Sequence, residues 1–158
     1  MNAKIKPKHY DISLEPDLIN ATFSGQVKIY INVLQDTHSI VINSVELDVL
    51  SASIEQNNRV FSLTTKYDEE NETAIFHCTQ QINPGDGILK IAFSGILNDR
   101  LRGFYISRYK DRNGKDNKLA STQFEPTDAR RAFPCFDEPN QKATFSLRDY
   151  RRESQSHL

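Results

Sequence analysis

The chain has 158 residues, of which 26% are charged, and its formal net charge is −1. This length predicts one domain, large enough to bury a hydrophobic core. The near-neutral charge gives no reason to expect nucleic acid or an anionic membrane as a partner, and no stretch approaches the roughly 18 apolar residues of a membrane helix.

Apolar and polar residues alternate in successive segments. A period of two is typical of half-buried β-strands, because neighbouring side chains point to opposite faces of a sheet. The segments with this alternation are residues 10–14, 27–33, 74–78 and 89–93, and residues 40–42 form a shorter apolar run. These segments predict a sheet rather than helices.

One segment changes face along its length. Val45, Leu47 and Val49 share one parity, whereas Leu50, Ala52 and Ile54 share the other. Since a slip of one residue turns a strand over, we expect a bulge or bend near residues 48–50.

Turn signals separate the predicted strands. Asn57-Asn58, residues 83–87 and Asn113-Gly114 have compositions typical of turns and hairpins. The acidic run at residues 67–72 is interpreted as a solvated hairpin loop in preference to a cation site. The sequence therefore predicts an all-β, mostly antiparallel, sandwich-like fold.

Residues 122–139 break the alternation with charged, aromatic and proline residues. Glu125 follows a short extended run at residues 119–123 and precedes Pro126, which favours extended geometry at the residue before it. Pro126 can open a short helical turn. The sequence thus predicts Glu125 at a strand end, where its side chain can point at a ligand.

The paired arginines of this stretch have more than one interpretation. We expect one of Arg130 and Arg131 to form a salt bridge with Asp137 or Glu138 and tie the loop to the sheet, in preference to binding a carboxylate or phosphate ligand. Residues 133–136 are predicted to plug the core beneath the loop.

The sequence predicts neither a catalytic residue nor a metal ligand. The four histidines are His9, His38, His77 and His157. No two of them are four residues apart, so the chain lacks the His-Glu-x-x-His pattern of zinc peptidases. His77 and Cys78 are adjacent on a predicted strand and point to opposite faces, so they are not expected to share a metal.

The stretch at residues 122–139 resembles the N-terminal domain of the M1 zinc aminopeptidases, in particular the puromycin-sensitive and fungal cytosolic branch. Further matches in the same order are residues 6–14, 23–27, 103–105 and 140–145. The resemblance covers about residues 7–146 and implies the saddle-shaped N-terminal β domain of that family.

The resemblance also implies a role for two side chains. In the family, a Glu or Gln of this domain binds the free α-amino group of a peptide substrate, and Glu125 lies at the matching position. Gln123, two residues earlier on the same side of the strand, is implied to line the pocket for the first side chain. The alternative for Glu125 is a surface carboxylate paired with Arg130 or Arg131.

The resemblance implies zinc in the full-length family but none bound by this chain, which is expected to be inactive alone. Residues 1–146 are interpreted as an incomplete N-terminal β domain, truncated before the catalytic domain, and residues 147–158 as a divergent, disordered tail. The alternatives are a regulatory module that docks on a full-length aminopeptidase, or a chain complemented by a separate catalytic domain.

Two features concern location. The first eight residues have no apolar run behind their lysines, so no secretory signal is predicted. The two cysteines, Cys78 and Cys135, favour a reducing compartment. We therefore expect a cytoplasmic protein, with a peroxisomal address at Ser156-His157-Leu158 as the alternative.

Overall fold

The computed structural model describes residues 4–97, 103–110, 112–123, 129–136 and 143–149. These residues form eleven strands and one short 3-10 turn, Ala129–Arg131. The strands are β1 Ile5–Asp17, β2 Thr22–Val33, β3 Thr37–Asn43, β4 Leu47–Gln56, β5 Arg59–Ser62, β6 Thr64–Asp68, β7 Thr73–Ile82, β8 Gly85–Ile96, β9 Gly103–Lys110, β10 Asp116–Gln123 and β11 Thr144–Asp149.

These strands form two larger sheets and one separate hairpin. The six-stranded sheet has the order β11-β1-β2-β8-β4-β5, the three-stranded sheet has the order β3-β7-β6, and β9 pairs with β10. Each described pair is antiparallel except β1 with β11, which is parallel. The predicted all-β, mostly antiparallel class is confirmed. In the part of the chain that the structure describes, no helical segment has the length and apolar character that a membrane crossing requires.

The core follows the alternation of the sequence. In β2, Val27, Ile29, Ile31 and Val33 are each at most 1% exposed, while the residues between them face outward to varying degrees. Buried side chains from both larger sheets, such as Ile29 and Phe76, belong to one hydrophobic cluster. Burying each large aliphatic or aromatic side chain contributes roughly 1.5–3 kcal/mol, so this cluster is the main source of stability.

The predicted change of face in β4 is confirmed as a β-bulge. The register against β8 pairs Val49 with Phe93 and then Ser51 with Ala92, so Leu50 is the extra residue. Leu47 and Ile54 are buried on either side of this shift. Leu50 itself is 65% exposed. The prediction that grouped it with the core-facing residues Ala52 and Ile54 is therefore wrong for this residue.

The turns also have the predicted positions. Asn57 and Asn58 connect β4 to β5 with φ values of 51° and 63°, the left-handed pair that a two-residue hairpin needs. Gly114, between β9 and β10, has φ 75°. The acidic run lies in the β6–β7 hairpin, where the Asp68 carboxylate accepts hydrogen bonds from the backbone and side chain of Asn71.

Two glycines at the centre of the larger sheet are each covered by a phenylalanine. The register of β2 and β8 pairs Phe23 with Gly95 and Gly25 with Phe93. A Cβ at Gly95 would lie 2.6 Å from Cζ of Phe23, and one at Gly25 would lie 2.7 Å from Cζ of Phe93. The two rings also meet edge to face, with centroids 6.5 Å apart. The spacing of Phe23 and Gly25 therefore reflects packing that leaves no room for another side chain.

Strand β11 lies at one end of the larger sheet, beside β1. The register pairs Tyr10 with Phe145 and Ile12 with Leu147. The strand continues to Asp149 and so crosses the boundary expected after residue 146; that division of the chain stays a prediction, and residues 150–158 lie outside the described residues. Phe145 and Leu147 are 60% and 46% exposed, which makes this end of the sheet less covered than its centre.

Candidate functional site

The candidate site begins where β10 ends. Gln123 is the last residue of this strand and pairs with Gly103 of β9, so the extended run predicted up to this point is confirmed. Glu125 follows two residues later, in the segment 124–128, and lies outside the described residues together with Pro126. The roles assigned to Glu125 and to the Gln123 side chain therefore stay predictions.

The chain is described again at the 3-10 turn, which begins at Ala129, six positions after Gln123. The Ala129 carbonyl accepts hydrogen bonds from the N–H groups of Ala132 at 2.9 Å and Phe133 at 3.1 Å, which closes the turn. The Arg130 carbonyl in turn accepts a hydrogen bond of 3.0 Å from the N–H of Val45. The turn is thus bonded to the loop between β3 and β4.

The residues after the turn are bonded to the end of β3. Asn43 and Cys135 exchange two backbone hydrogen bonds, of 2.8 and 3.0 Å, in an isolated antiparallel bridge. The N–H of Phe136 donates to the Tyr10 hydroxyl at 2.8 Å. Residues 129–136 are therefore attached to both larger sheets, and we call them the anchored segment.

The predicted core plug is confirmed within the anchored segment. Ala132, Phe133, Cys135 and Phe136 are each at most 6% exposed and belong to the main hydrophobic cluster. The ring of Tyr10 meets Phe133 edge to face at 6.1 Å, and it stacks on the ring of Phe145 of β11 at 4.8 Å. Aromatic pairs of this geometry contribute beyond the area they bury.

Two ion pairs, which we call the arginine clamp, join the turn to two loops of the sheets. Arg130 Nη1 lies 2.9 Å from Oε1 of Glu72, and Arg131 Nη1 lies 3.0 Å from Oε1 of Glu46. The Arg130 side chain is 12% exposed, whereas the Glu46 side chain is 74% exposed. Because solvent screens exposed pairs, the Arg130–Glu72 pair is expected to be the stronger.

Both glutamates of the clamp have left-handed backbones. The φ values are 57° for Glu46 and 55° for Glu72, a conformation that costs a non-glycine residue on the order of 1–3 kcal/mol. Such a conformation persists only where the surroundings determine it. Here the Glu72 carbonyl accepts a hydrogen bond of 2.9 Å from the N–H of Ser44, so the two loops are also bonded to each other.

The clamp bears on the interpretations of the arginines. Asp137 and Glu138, the partners expected for them, lie outside the described residues. The described partners belong instead to the β3–β4 and β6–β7 loops, and they tie the anchored segment to the sheets as expected. Because each guanidinium has a carboxylate partner, these arginines are structural in the described contacts.

A pocket of about 450 Å³ lies beside the clamp. Its lining includes both clamp glutamates and two further carboxylates, those of Asp48 and Glu69. The buried Ser44 Oγ at its wall has no hydrogen-bond partner among the described residues. Four carboxylates beside two arginines leave an excess of negative charge, so this pocket would favour a cationic group over an anionic one.

The described residues contain no group of three or more His, Cys, Asp and Glu side chains that fits a metal ion. The catalytic zinc of M1 aminopeptidases therefore finds no matching ligand set among them. His77 is exposed and Cys78 is fully buried, which confirms that these neighbours point to opposite faces of β7.

The comparison with known families decides the identity of the fold. A family model described as Peptidase M1 N-terminal domain matches residues 6–154. The chain belongs to this family. The resemblance is thereby confirmed.

Curated relatives support the same assignment. This M1 N-terminal domain is 42% identical over 146 residues to "Aminopeptidase M1" of Arabidopsis thaliana, 44% over 146 residues to "Alanine/arginine aminopeptidase" of Saccharomyces cerevisiae, and 39% over 155 residues to "Puromycin-sensitive aminopeptidase" of Caenorhabditis elegans. The matches cover 89%, 90% and 97% of the chain. They cover only 16%, 17% and 16% of those relatives.

Sequence reasoning missed the residues that hold the anchored segment of the M1 N-terminal domain. Glu46, Asn43 and Tyr10 are far along the chain from it, and although Tyr10 lies in the matching segment 6–14, nothing in that segment indicates a contact with residues 129–136. Glu72 belonged to the acidic run, but a run of charges gives no indication of which member has a partner. The left-handed backbone of Glu46 and Glu72 could not be predicted either, because Glu has no special preference for that conformation.

Proposed function

We propose that this M1 N-terminal domain binds the free α-amino group of a peptide through Glu125, and that Gln123 lines the pocket for the first side chain. The main support is family membership together with the position of residues 124–128. This segment connects the end of β10 to the anchored segment.

The described contacts give each arginine a carboxylate partner other than Glu125. Arg130 is paired with Glu72 and Arg131 with Glu46. Both guanidinium groups thus have a carboxylate partner from the sheet loops. Binding of a ligand amine by Glu125 then needs no existing pair of the clamp to break.

A carboxylate suits the proposed ligand. An ammonium group offers three donors, and a hydrogen bond between two charged groups is about twice as strong as a neutral one. The Gln123 amide can both donate and accept, which suits contact with varied side chains. Holding the charged end of a peptide beside the cleavage position would restrict cleavage to the first residue.

The cleavage chemistry itself is assigned to the part of the relatives that this chain does not span. The described residues hold no ligand set for a catalytic zinc, and the chain covers about 16% of its relatives' length. The isolated chain is therefore proposed to bind a peptide end and to hydrolyse nothing. Activity would require a catalytic domain supplied by another polypeptide or by a longer form of this one.

Complementation tests this proposal. The chain is mixed with a separately expressed catalytic domain of a relative, and hydrolysis of aminoacyl substrates is followed. We expect little activity from the chain alone, activity in the mixture, and a loss of about 30-fold or more in kcat/KM with Glu125→Ala, since removing a charged hydrogen-bond partner costs about 2 kcal/mol or more.

Glu70→Ala is the matched control, because Glu70 is an exposed glutamate of the β6–β7 turn outside the clamp. An N-acetylated peptide adds a second control, since it has no ammonium group for Glu125 to bind. Equal kcat/KM for Glu125→Ala and the unaltered chain would contradict the assigned role.

A regulatory module that docks on a full-length aminopeptidase is the second candidate. The exposed apolar side chains of Phe145 and Leu147 at the end of the larger sheet favour it, because uncovered apolar surface often marks an interface. In the same mixture, binding to a full-length relative that changes its activity independently of Glu125 would support this candidate.

The remaining parts of the proposal concern partners and location. The proposed partners are a peptide N-terminus and an aminopeptidase catalytic domain; no nucleic acid and no membrane are proposed, in keeping with the net charge of −1. The proposed location is the cytoplasm. A peroxisomal location remains the alternative through Ser156-His157-Leu158, which lies outside the described residues.

A further inference from the structure

Two histidines meet on the outer face of the three-stranded sheet. His38 of β3 and His77 of β7 are both exposed, and their rings stack with centroids 6.4 Å apart and planes 26° apart. They are 39 positions apart in the chain, so no sequence motif connects them. The proposed amine-binding role makes no use of either ring.

A hydrogen bond sets the tautomer of His38. Its Nδ1 lies 3.2 Å from the carbonyl oxygen of Cys78. A carbonyl oxygen only accepts, so Nδ1–H must be the donor. In the neutral ring Nε2 then carries the free lone pair. Metal-binding histidines have the same arrangement, in which one ring nitrogen donates to a backbone carbonyl and the other binds the ion.

The backbone around the pair orients both rings toward solvent. The β3–β7 register shifts between Thr37 and Ser39, which places His38 in an irregularity of the strand, and such bulges redirect side chains. The ladder partners of His77 are Ser39 and Thr64. Cross-strand partners share a face of the sheet, so His77 is flanked by two small side chains that leave room above its ring.

We propose that His38 and His77 together bind a late first-row divalent metal ion, with water in the remaining positions. Imidazole suits Zn²⁺, Ni²⁺ and Cu²⁺, whereas Mg²⁺ prefers oxygen ligands. On one ion with metal–nitrogen distances of about 2.0–2.1 Å, two imidazole centroids lie roughly 5 Å apart. Rotation of the exposed His77 side chain about its χ angles supplies the necessary approach, so that the His38 hydrogen bond to the Cys78 carbonyl is kept.

This site is distinct from a peptidase zinc site, because it has two protein ligands rather than three. It revises the expectation that this chain has no metal ligand. With two protein ligands, the affinity is expected to be moderate, and the order of affinities is expected to follow Cu²⁺ above Ni²⁺ and Zn²⁺.

Calorimetric titration of the untagged chain with Ni²⁺ in a chelator-free neutral buffer tests the proposal. We expect one ion per chain, and a loss of at least about tenfold in affinity for His38→Asn and for His77→Asn. His157→Asn is the matched control and should leave the affinity unchanged. Mg²⁺ at the same concentration should produce no binding signal.

Two outcomes would overturn the proposal. One is equal Ni²⁺ affinity in the His38→Asn variant and the unaltered chain. The other is a loss caused instead by Asp48→Asn with Glu69→Gln, which would assign binding to the acidic pocket. Circular dichroism of each variant establishes that it is folded, and broadening of the His38 and His77 ring resonances by Cu²⁺ gives a second readout. The test needs no peptide, so its failure would leave the proposed function unaffected.

Discussion

The pair of strands β2–β8 and the anchored segment are buried to a similar degree, but they are specified in different ways. Along residues 27–33 of β2 and 89–93 of β8 every second residue is apolar, and this pattern identifies the buried face. In the anchored segment no period exists. Its position depends on bonds to Asn43, Tyr10 and the clamp glutamates, all of which come from elsewhere in the chain.

The two regions differ in how much substitution they should tolerate. The buried positions of an alternating strand accept different apolar residues, since the size and hydrophobicity of a core side chain matter more than its identity. The anchored segment relies on particular donors and acceptors at particular places. Substitutions in the two regions should therefore differ in effect, and three experiments measure the contributions of the anchored segment, the clamp and the six-stranded sheet.

The largest effect is expected from Phe133→Ala. Phe133 is 2% exposed and packs against Tyr10, so truncation should lower the free energy of unfolding by about 3–5 kcal/mol. Phe145→Ala is the control, because Phe145 touches the same aromatic group while 60% exposed. It should cost about 1–2 kcal/mol. Urea unfolding measures the two losses of stability from the shift in midpoint, provided that the m-value is unchanged. Equal losses for the two variants would place the anchored segment outside the cooperative core.

A smaller effect is expected from the clamp. Arg130→Met should cost about 1–3 kcal/mol, because the Arg130 side chain is only 12% exposed and donates to a carboxylate. Arg131→Met should cost about 0–1 kcal/mol, since its partner Glu46 is largely in water. A double-mutant cycle of Arg130→Met with Glu72→Gln isolates the pair energy. A coupling energy near zero would mean that the Arg130–Glu72 pair contributes nothing to holding the turn.

The smallest effect is expected at the larger sheet, where Lys8 lies 2.8 Å from Asp86. The hydrogen bond from Lys8, followed by that from Asn32, holds the pKa of Asp86 below its ordinary value of 3.8. A lowered carboxyl pKa contributes stability above the ordinary value, and this contribution is lost as the pH falls through the lowered pKa. Asp86→Asn should remove that part of the acid dependence of Tm. If the Tm of the variant falls at low pH just as that of the unaltered chain does, the Lys8–Asp86 pair contributes nothing.

The sequence was sufficient for the parts of the fold that depend on local pattern. The face of β2, the bulge beside Leu50 and the left-handed turn at Asn57-Asn58 all follow from periodicity or from turn chemistry. The burial of residues 133–136 also follows from their composition.

Contacts between distant segments could not be predicted in the same way. Nothing in the sequence marks Glu46 rather than Asp48 as the partner of Arg131, because these two acidic residues are only two positions apart. The pairing of His38 with His77 likewise depends on the β3–β7 register and its irregularity. Gln123 was correctly assigned to a strand, whereas the proposed role of Glu125 came from resemblance to a family, not from local pattern.

The parallel pairing of β1 with β11 has a consequence for synthesis on the ribosome. Thr144 is 135 positions after its partner His9, which corresponds to roughly 7–27 s of translation at 5–20 residues per second. During that interval one edge of the first strand has no neighbour. A nascent chain with an open edge is prone to pair with other chains, so chaperones that shield the emerging N-terminus should matter more for this domain than for one whose first strand is closed early.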